Sequence, residues 1–177
     1  GAQPGDETAQ ALLEPCMEKA QLAFSYRACL ARLPISPAQE RISFPFGTVQ
    51  SADLAKHLTG CEAVWLLAAT AGFAIDRLIS KYSELQPSQG LCYQALGAVA
   101  IEAWCDQLCA FLQQQEGLPL TARFSPGHGD FSSEHQSALL ALLDTQQRIG
   151  LTLSESGLLL PSKSVIAVVG VRSSFSA

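Results

Sequence analysis

Three long stretches of the chain place apolar residues at helical intervals, and one short stretch is apolar without a break. Between residues 6 and 33, Leu13, Met17, Ala20, Phe24 and Ala31 fall on one helical face, which predicts a helix over 6–33. Pro15 inside it predicts a kink or the first turn of a second helix, and Pro34 and Pro37 stop it. Residues 1 to 6, rich in Gly, Ala, Gln and Pro, read as loose. The run 41–46 predicts an edge strand, since Pro45 is tolerable only at an edge or a bulge. Ser51 reads as the N-cap of a short helix ending at Gly60. The unbroken apolar run 63–69 predicts a strand buried on both faces, ended by Thr70-Ala71-Gly72. Ala71, Ile75, Leu78, Ile79, Tyr82 and Leu85 stripe the next helix. A long one follows from Pro87 to about Gln115, with Ala98, Ile101, Cys105, Leu108 and Leu112 facing inward.

The remainder predicts a strand over 118–124, a turn over 123–130, and a capping box with Ser133 at N-cap and Gln136 at N3. The helix that this box opens carries Leu139, Leu142, Leu143 and Ile149 and ends at Gly150. A half-exposed strand over 151–156, a turn at Pro161-Ser162-Lys163 and a closing strand over 164–171 complete the chain. Strands and helices in mixed order, without a steady βαβ rhythm, indicate a single α+β domain.

Composition narrows the function. The 177 residues are 48% apolar and 15% charged with a net charge of -5, so the core is large and no basic stripe serves nucleic acid. The longest strongly apolar run, 63–75, is too short and interrupted to span a bilayer. No leader pattern opens the chain, and the expectation is a cytosolic protein. The six cysteines are scattered or one helical turn apart, with no C-x-x-C, and read as reduced core thiols.

The chemistry concentrates in Arg123-Phe-Ser-Pro-Gly-His-Gly-Asp130. Gly and Pro there expose backbone groups, and Arg123 can grip a carboxylate or phosphate with its fork. A tight turn with a solvated arginine explains the same residues. Glu102 and Asp106 stack one turn apart on the long helix, as a polar pair or as a solvated face. A metal site of His128, Asp130 and His135 has the least support, and His57 reads as a surface residue placed well for the helix dipole.

Arg123-Phe-Ser-Pro-Gly-His128, then Leu153-Ser-Glu-Ser156, then Pro161-Ser-Lys-Ser-Val165 resembles the activation domain of cobalamin-dependent methionine synthase, which binds S-adenosylmethionine (AdoMet). The family shows R-x-x-P-G-Y, a helix, L-T-E-S and P-x-x-S-V-S in that order. Ala68-Ala-Thr-Ala-Gly72 with Asp76, and Ala100-Ile-Glu-Ala103 with Asp106, are similar to free-standing relatives of that domain. The resemblance covers about residues 35–171. It implies a mainly antiparallel twisted sheet packed with helices over 35–177, joined compactly by an N-terminal helical segment over 1–34. It further implies that Arg123 clamps the AdoMet carboxylate, that Phe124, Ser125 and Gly127 form a backbone cradle, and that His128, Glu155 and Asp106 face the same cleft. His128 stands where the family has Tyr. The implied role is reductive reactivation of a cobalamin-carrying methionine synthase or corrinoid protein, with AdoMet bound by this chain and no metal site. The alternative is an interaction module whose ligand site has degenerated.

Overall fold

The structure, a computed structural model, describes residues 4–173. Its spine is the antiparallel sheet β1 (Arg27–Pro34), β5 (Cys61–Thr70) and β8 (Ser164–Arg172), with β5 in the middle. β5 is apolar from Ala63 to Ala69 because both of its faces are covered there. Val64, Leu66 and Ala68 turn toward one core, while Leu67 and Ala69 turn toward another. The first core is closed by a meander of β2 (Ser36–Pro37), β3 (Arg41–Phe44) and β4 (Gly47–Gln50), by α2 (Ala52–His57), and by α5 (Gln136–Leu143) and α6 (Thr145–Ile149). The second is closed by α4 (Pro87–Glu116) through Ile101, Cys105 and Leu108. A third cluster joins α1 (Pro4–Ala23), α3 (Ala74–Leu85) and the start of α4 around Cys16, Ile75 and Tyr93.

The long helix α4 is also long and apolar enough, by length and composition, to cross a membrane, which the apolar run 63–75 is not. Ile101, Cys105 and Leu108 lie against the sheet while Glu102 and Asp106 face outward, and Leu91, Val99 and Phe111 are apolar and exposed on the same helix.

Several local expectations hold. Ser51 caps α2, its hydroxyl accepting from the Leu54 N–H at 3.0 Å. The buried strand, the long helix and the closing strand all form. All six cysteines are free.

Six expectations change. The helix read over 6–33 starts earlier, at Pro4, runs through Pro15 and ends at Ala23; Arg27–Pro34 is instead an edge strand of the main sheet. Ser25 N–H donates to Ala71 O at 2.9 Å and turns the chain, and pairing with β5 then overrides the helix preference of Ala, Leu and Arg. The looseness expected of residues 1–6 therefore fails for 4–6, and residues 1–3 lie outside the described residues. Residues 118–124 form no regular strand, because the Thr121 hydroxyl rather than a backbone carbonyl accepts from Gly170 N–H, and only two isolated bridges remain. The helix ending at Gly150 is two helices, broken where Asp144 takes φ 50°. The capping box does not form either. Ser132, not Ser133, caps a 3-10 turn over Ser133–His135, and α5 starts only at Gln136. The strand read over 151–156 shrinks to β6 (Thr152–Leu153), paired in a hairpin with β7 (Leu159–Leu160).

Candidate functional site

Beside β8, Phe124 N–H donates to Val168 O at 2.9 Å and Val168 N–H donates back to Phe124 O at 2.8 Å. Both backbone groups of Phe124 are thereby used, so Phe124 leaves the backbone cradle and contributes only its ring. The next four residues form a tight turn, closed by His128 N–H donating to Ser125 O at 3.1 Å. Pro126 in the second place and Gly127 at φ 97° in the third mark it as type II, which demands a residue that tolerates positive φ. Gly127 N–H points inward to Phe131 O at 2.6 Å. Outward the turn is bare, since a Cβ added at Gly127 would meet no atom within 4 Å. Ser125 N–H and the carbonyls of Pro126 and Gly127 have no partner among the described residues. Such a backbone can hydrogen-bond a ligand edge.

Asp130 locks the far side of the turn. Its carboxylate accepts from Ala52 N–H at 2.7 Å, from Asp53 N–H at 3.1 Å and from the Ser51 hydroxyl. Asp53 returns the contact by accepting from Asp130 N–H at 3.1 Å. The Ser51 hydroxyl, followed by the backbone donors at the α2 N-terminus, holds the Asp130 carboxyl below its usual range. Asp130 thus serves the fold. His135 stacks on Phe131 at 5.6 Å, and among the described residues no three His, Cys, Asp or Glu side chains gather as metal ligands.

Arg123 takes the near side. Its guanidinium donates to Asp106 Oδ1 at 2.7 Å and to Glu102 Oε2 at 2.5 Å, so the stacked pair on α4 finds its cation here. The Arg123 side chain is 19% exposed, against 60% for Glu102 and 73% for Asp106, which puts the bridge at the lip of the site, where water screens it. Burial opposes the Arg123 charge, yet its bonds to Asp106 and to the Cys109 sulfur keep its pKa above the ordinary value. Burial pushes the Cys109 thiol up, with Arg123 opposing, and raises Cys105 to about 12, so neither thiol is primed as a nucleophile. The clamp foreseen for Arg123 is therefore already occupied by the chain's own carboxylates.

A cleft of about 440 Å³ nevertheless opens beside it, lined by Glu102, Asp106, Arg123, Ser125 and His128 among others. A second cleft of about 440 Å³, lined by Pro126, Gln136, Leu158, Leu160 and Ile166, shares Ser125 and Val165 with the first. One end of the pair is charged and the other apolar, with the bare turn at their junction. Both volumes lie within the usual range for small-molecule sites.

The structure thus gathers Arg123, Asp106, Ser125 and His128 around the first cleft, with Gly127 at the turn and the Phe124 ring 5.6 Å from His128. Glu155 is exposed in the β6–β7 turn and lines neither cleft. Three features escaped the sequence reading. Glu102 bonds Arg123 directly, and Gln136 lines the apolar cleft. His57, which read as a surface residue, is half-buried with its ring 4.8 Å from that of Phe124 and Nε2 2.7 Å from Ala122 O. Nothing in the local sequence joins His57 to Phe124, because α2 and the 118–124 run meet only in the folded chain.

No protein-family model and no curated protein matches this sequence. Among solved structures, the chain is similar to the MetH reactivation domain bound to AdoHcy, with a TM-score of 0.74 and 14% identity over 99% of this chain and 69% of the other. The protein has an activation-domain-like fold: one α+β domain with antiparallel sheets.

Proposed function

We propose that this chain binds AdoMet across the paired clefts and presents its methyl group to reduced cobalamin carried by a methionine synthase or a related corrinoid methyltransferase. The observation that carries the reading is the junction of a charged cleft and an apolar cleft at a bare type II turn. AdoMet is built the same way, with a zwitterionic end and a flat nucleoside. Arg123, Glu102 and Asp106 together carry a net charge of one negative, from one cation and two carboxylates. That suits a ligand carrying a carboxylate, an ammonium and a sulfonium, whose net charge is one positive.

Bound AdoMet supplies an activated methyl group, and the partner's cobalamin supplies the nucleophile. The chain itself holds and orients. Arg123 turns from its own carboxylates toward that of the ligand, Glu102 and Asp106 then face the ammonium, and the turn takes the nucleoside edge. No general acid or base is called for, and orientation is the contribution. Six free thiols suit a reducing cytosol, where the reading places the protein.

Titration calorimetry tests this. Wild type binds AdoMet, and Arg123→Ala weakens binding by about 1.5–3 kcal/mol, the scale of a charged hydrogen bond. Absence of heat with wild type overturns the reading.

The occupied guanidinium favours a second reading, an interaction module on the same fold with a degenerate ligand site. A stable complex with a cobalamin-binding protein, formed by a chain that binds no AdoMet, would establish it.

A further inference from the structure

Gln136 Oε1 is a buried side-chain acceptor without a hydrogen-bond partner, and no other such atom occurs among the described residues. The capping role that its spacing from Ser133 offered is not taken up, since Ser132 caps the 3-10 turn and Gln136 only begins α5. An amide left in this state costs stability, and a fold that keeps it gains nothing from it unless something else completes the bond. Gln136 lines the apolar cleft, whose other walls include Pro126, Leu158, Leu160, Val165 and Ile166.

We infer that Gln136 is the base-reading residue of this cleft: it recognises the amino edge of an adenine ring lying between Pro126 and the Leu158–Leu160 wall. The inference rests on the AdoMet reading and adds to it the residue that selects the base. A flat heterocycle satisfies the apolar walls with its faces and needs polar partners only at its edge. An amide, with one acceptor and two donors, matches the donor and acceptor that adenine presents side by side. Ser125 N–H and the Pro126 and Gly127 carbonyls are free at the same junction, so the opposite edge has backbone partners. Oε1 is shielded in the free fold and is presented by rotation of the terminal amide, a soft torsion. On the N7 side, where the amino group and N7 of adenine stand together, a hypoxanthine ring replaces the donor with a second acceptor, which one amide cannot pair in the same way.

The test uses 5′-methylthioadenosine, which lacks the amino-acid end and is independent of Arg123, alongside AdoMet and 5′-methylthioinosine. In Gln136→Met the chain length stays and both polar atoms go. The free protein should then melt about 2–4 °C higher, because an unpaired buried acceptor is removed. Affinity for methylthioadenosine should fall about tenfold, and the preference over methylthioinosine should vanish. Gain in stability with loss of binding separates a ligand residue from a structural one; Gln136→Leu provides the same readouts should the Met variant fold poorly. If wild type binds methylthioadenosine and the variant binds it equally, the role of Gln136 is overturned while the AdoMet reading stands. If wild type binds neither nucleoside nor AdoMet, both are overturned.

Discussion

Arg123 donates to Asp106 Oδ1 at 2.7 Å, so the group best suited to hold a ligand carboxylate is held in the free protein by a carboxylate of its own chain. Ligand binding is then an exchange of partners, and the residual negative charge selects by ligand charge. AdoMet, with its sulfonium, should bind more tightly than the neutral thioether AdoHcy. Asp106→Asn removes that residual charge and should narrow the ratio by about threefold to fivefold, the scale of an exposed ion pair. Parallel calorimetry with the two ligands measures it; an unchanged ratio would remove the electrostatic account.

Substitution of the two turn glycines separates conformation from contact. Gly127→Ala meets only the penalty of φ 97°, about 1–2 kcal/mol, because the space around it is open. Gly129→Ala adds a collision, since its Cβ would lie 2.2 Å from Asp53 Oδ2. Urea unfolding should rank Gly129→Ala as clearly the less stable of the two, and the reverse order would contradict the clamp between Asp53 and Asp130.

That clamp also sets an acid dependence. The folded pKa of Asp130 lies below its ordinary value of 3.8, chiefly through Ser51, so its contribution is fully present above that value. It is lost as pH falls through the lower, folded value. Wild type should therefore lose melting temperature more steeply than Asp130→Asn below about pH 4. Parallel curves from pH 5 to pH 2 would show that the carboxylate adds nothing.

Glu116 accepts from Arg32 Nε and from Trp65 Nε1, each at 2.7 Å, and ties the end of α4 to β1 and β5. Arg32 first, then Trp65, depress its pKa. Glu116→Gln should cost about 0.5–1.5 kcal/mol and shift the Trp65 emission, which chemical denaturation followed by fluorescence would record.

How far these features could be read beforehand depends on the range of the interactions behind them. Where the signal is local, as in the apolar run of β5, the Ser51 cap or the Pro-Gly turn, the residues alone specify the outcome. β1 is the opposite case. Ala28, Leu30, Ala31 and Arg32 prefer a helix, and only pairing with β5, 29 to 43 residues further along the chain, makes them a strand. The site divides in the same way. That residues 123–130 turn was visible, and so was the stacking of Glu102 on Asp106. That they share Arg123 was not, because 17 and 21 residues separate the partners. A longer separation, 78 and 77 residues, hid the role of Asp130, which looked like a candidate ligand and proved to be the anchor of α2.

Through Asp130, the curvature of the turn is borrowed from a helix that begins some eighty positions upstream. Transplanting residues 123–130 into a foreign scaffold would carry the letters without the shape. Conversely, a substitution at Ser51 or Asp53, remote from either hollow, is a way to retune ligand affinity while leaving every wall of both hollows untouched.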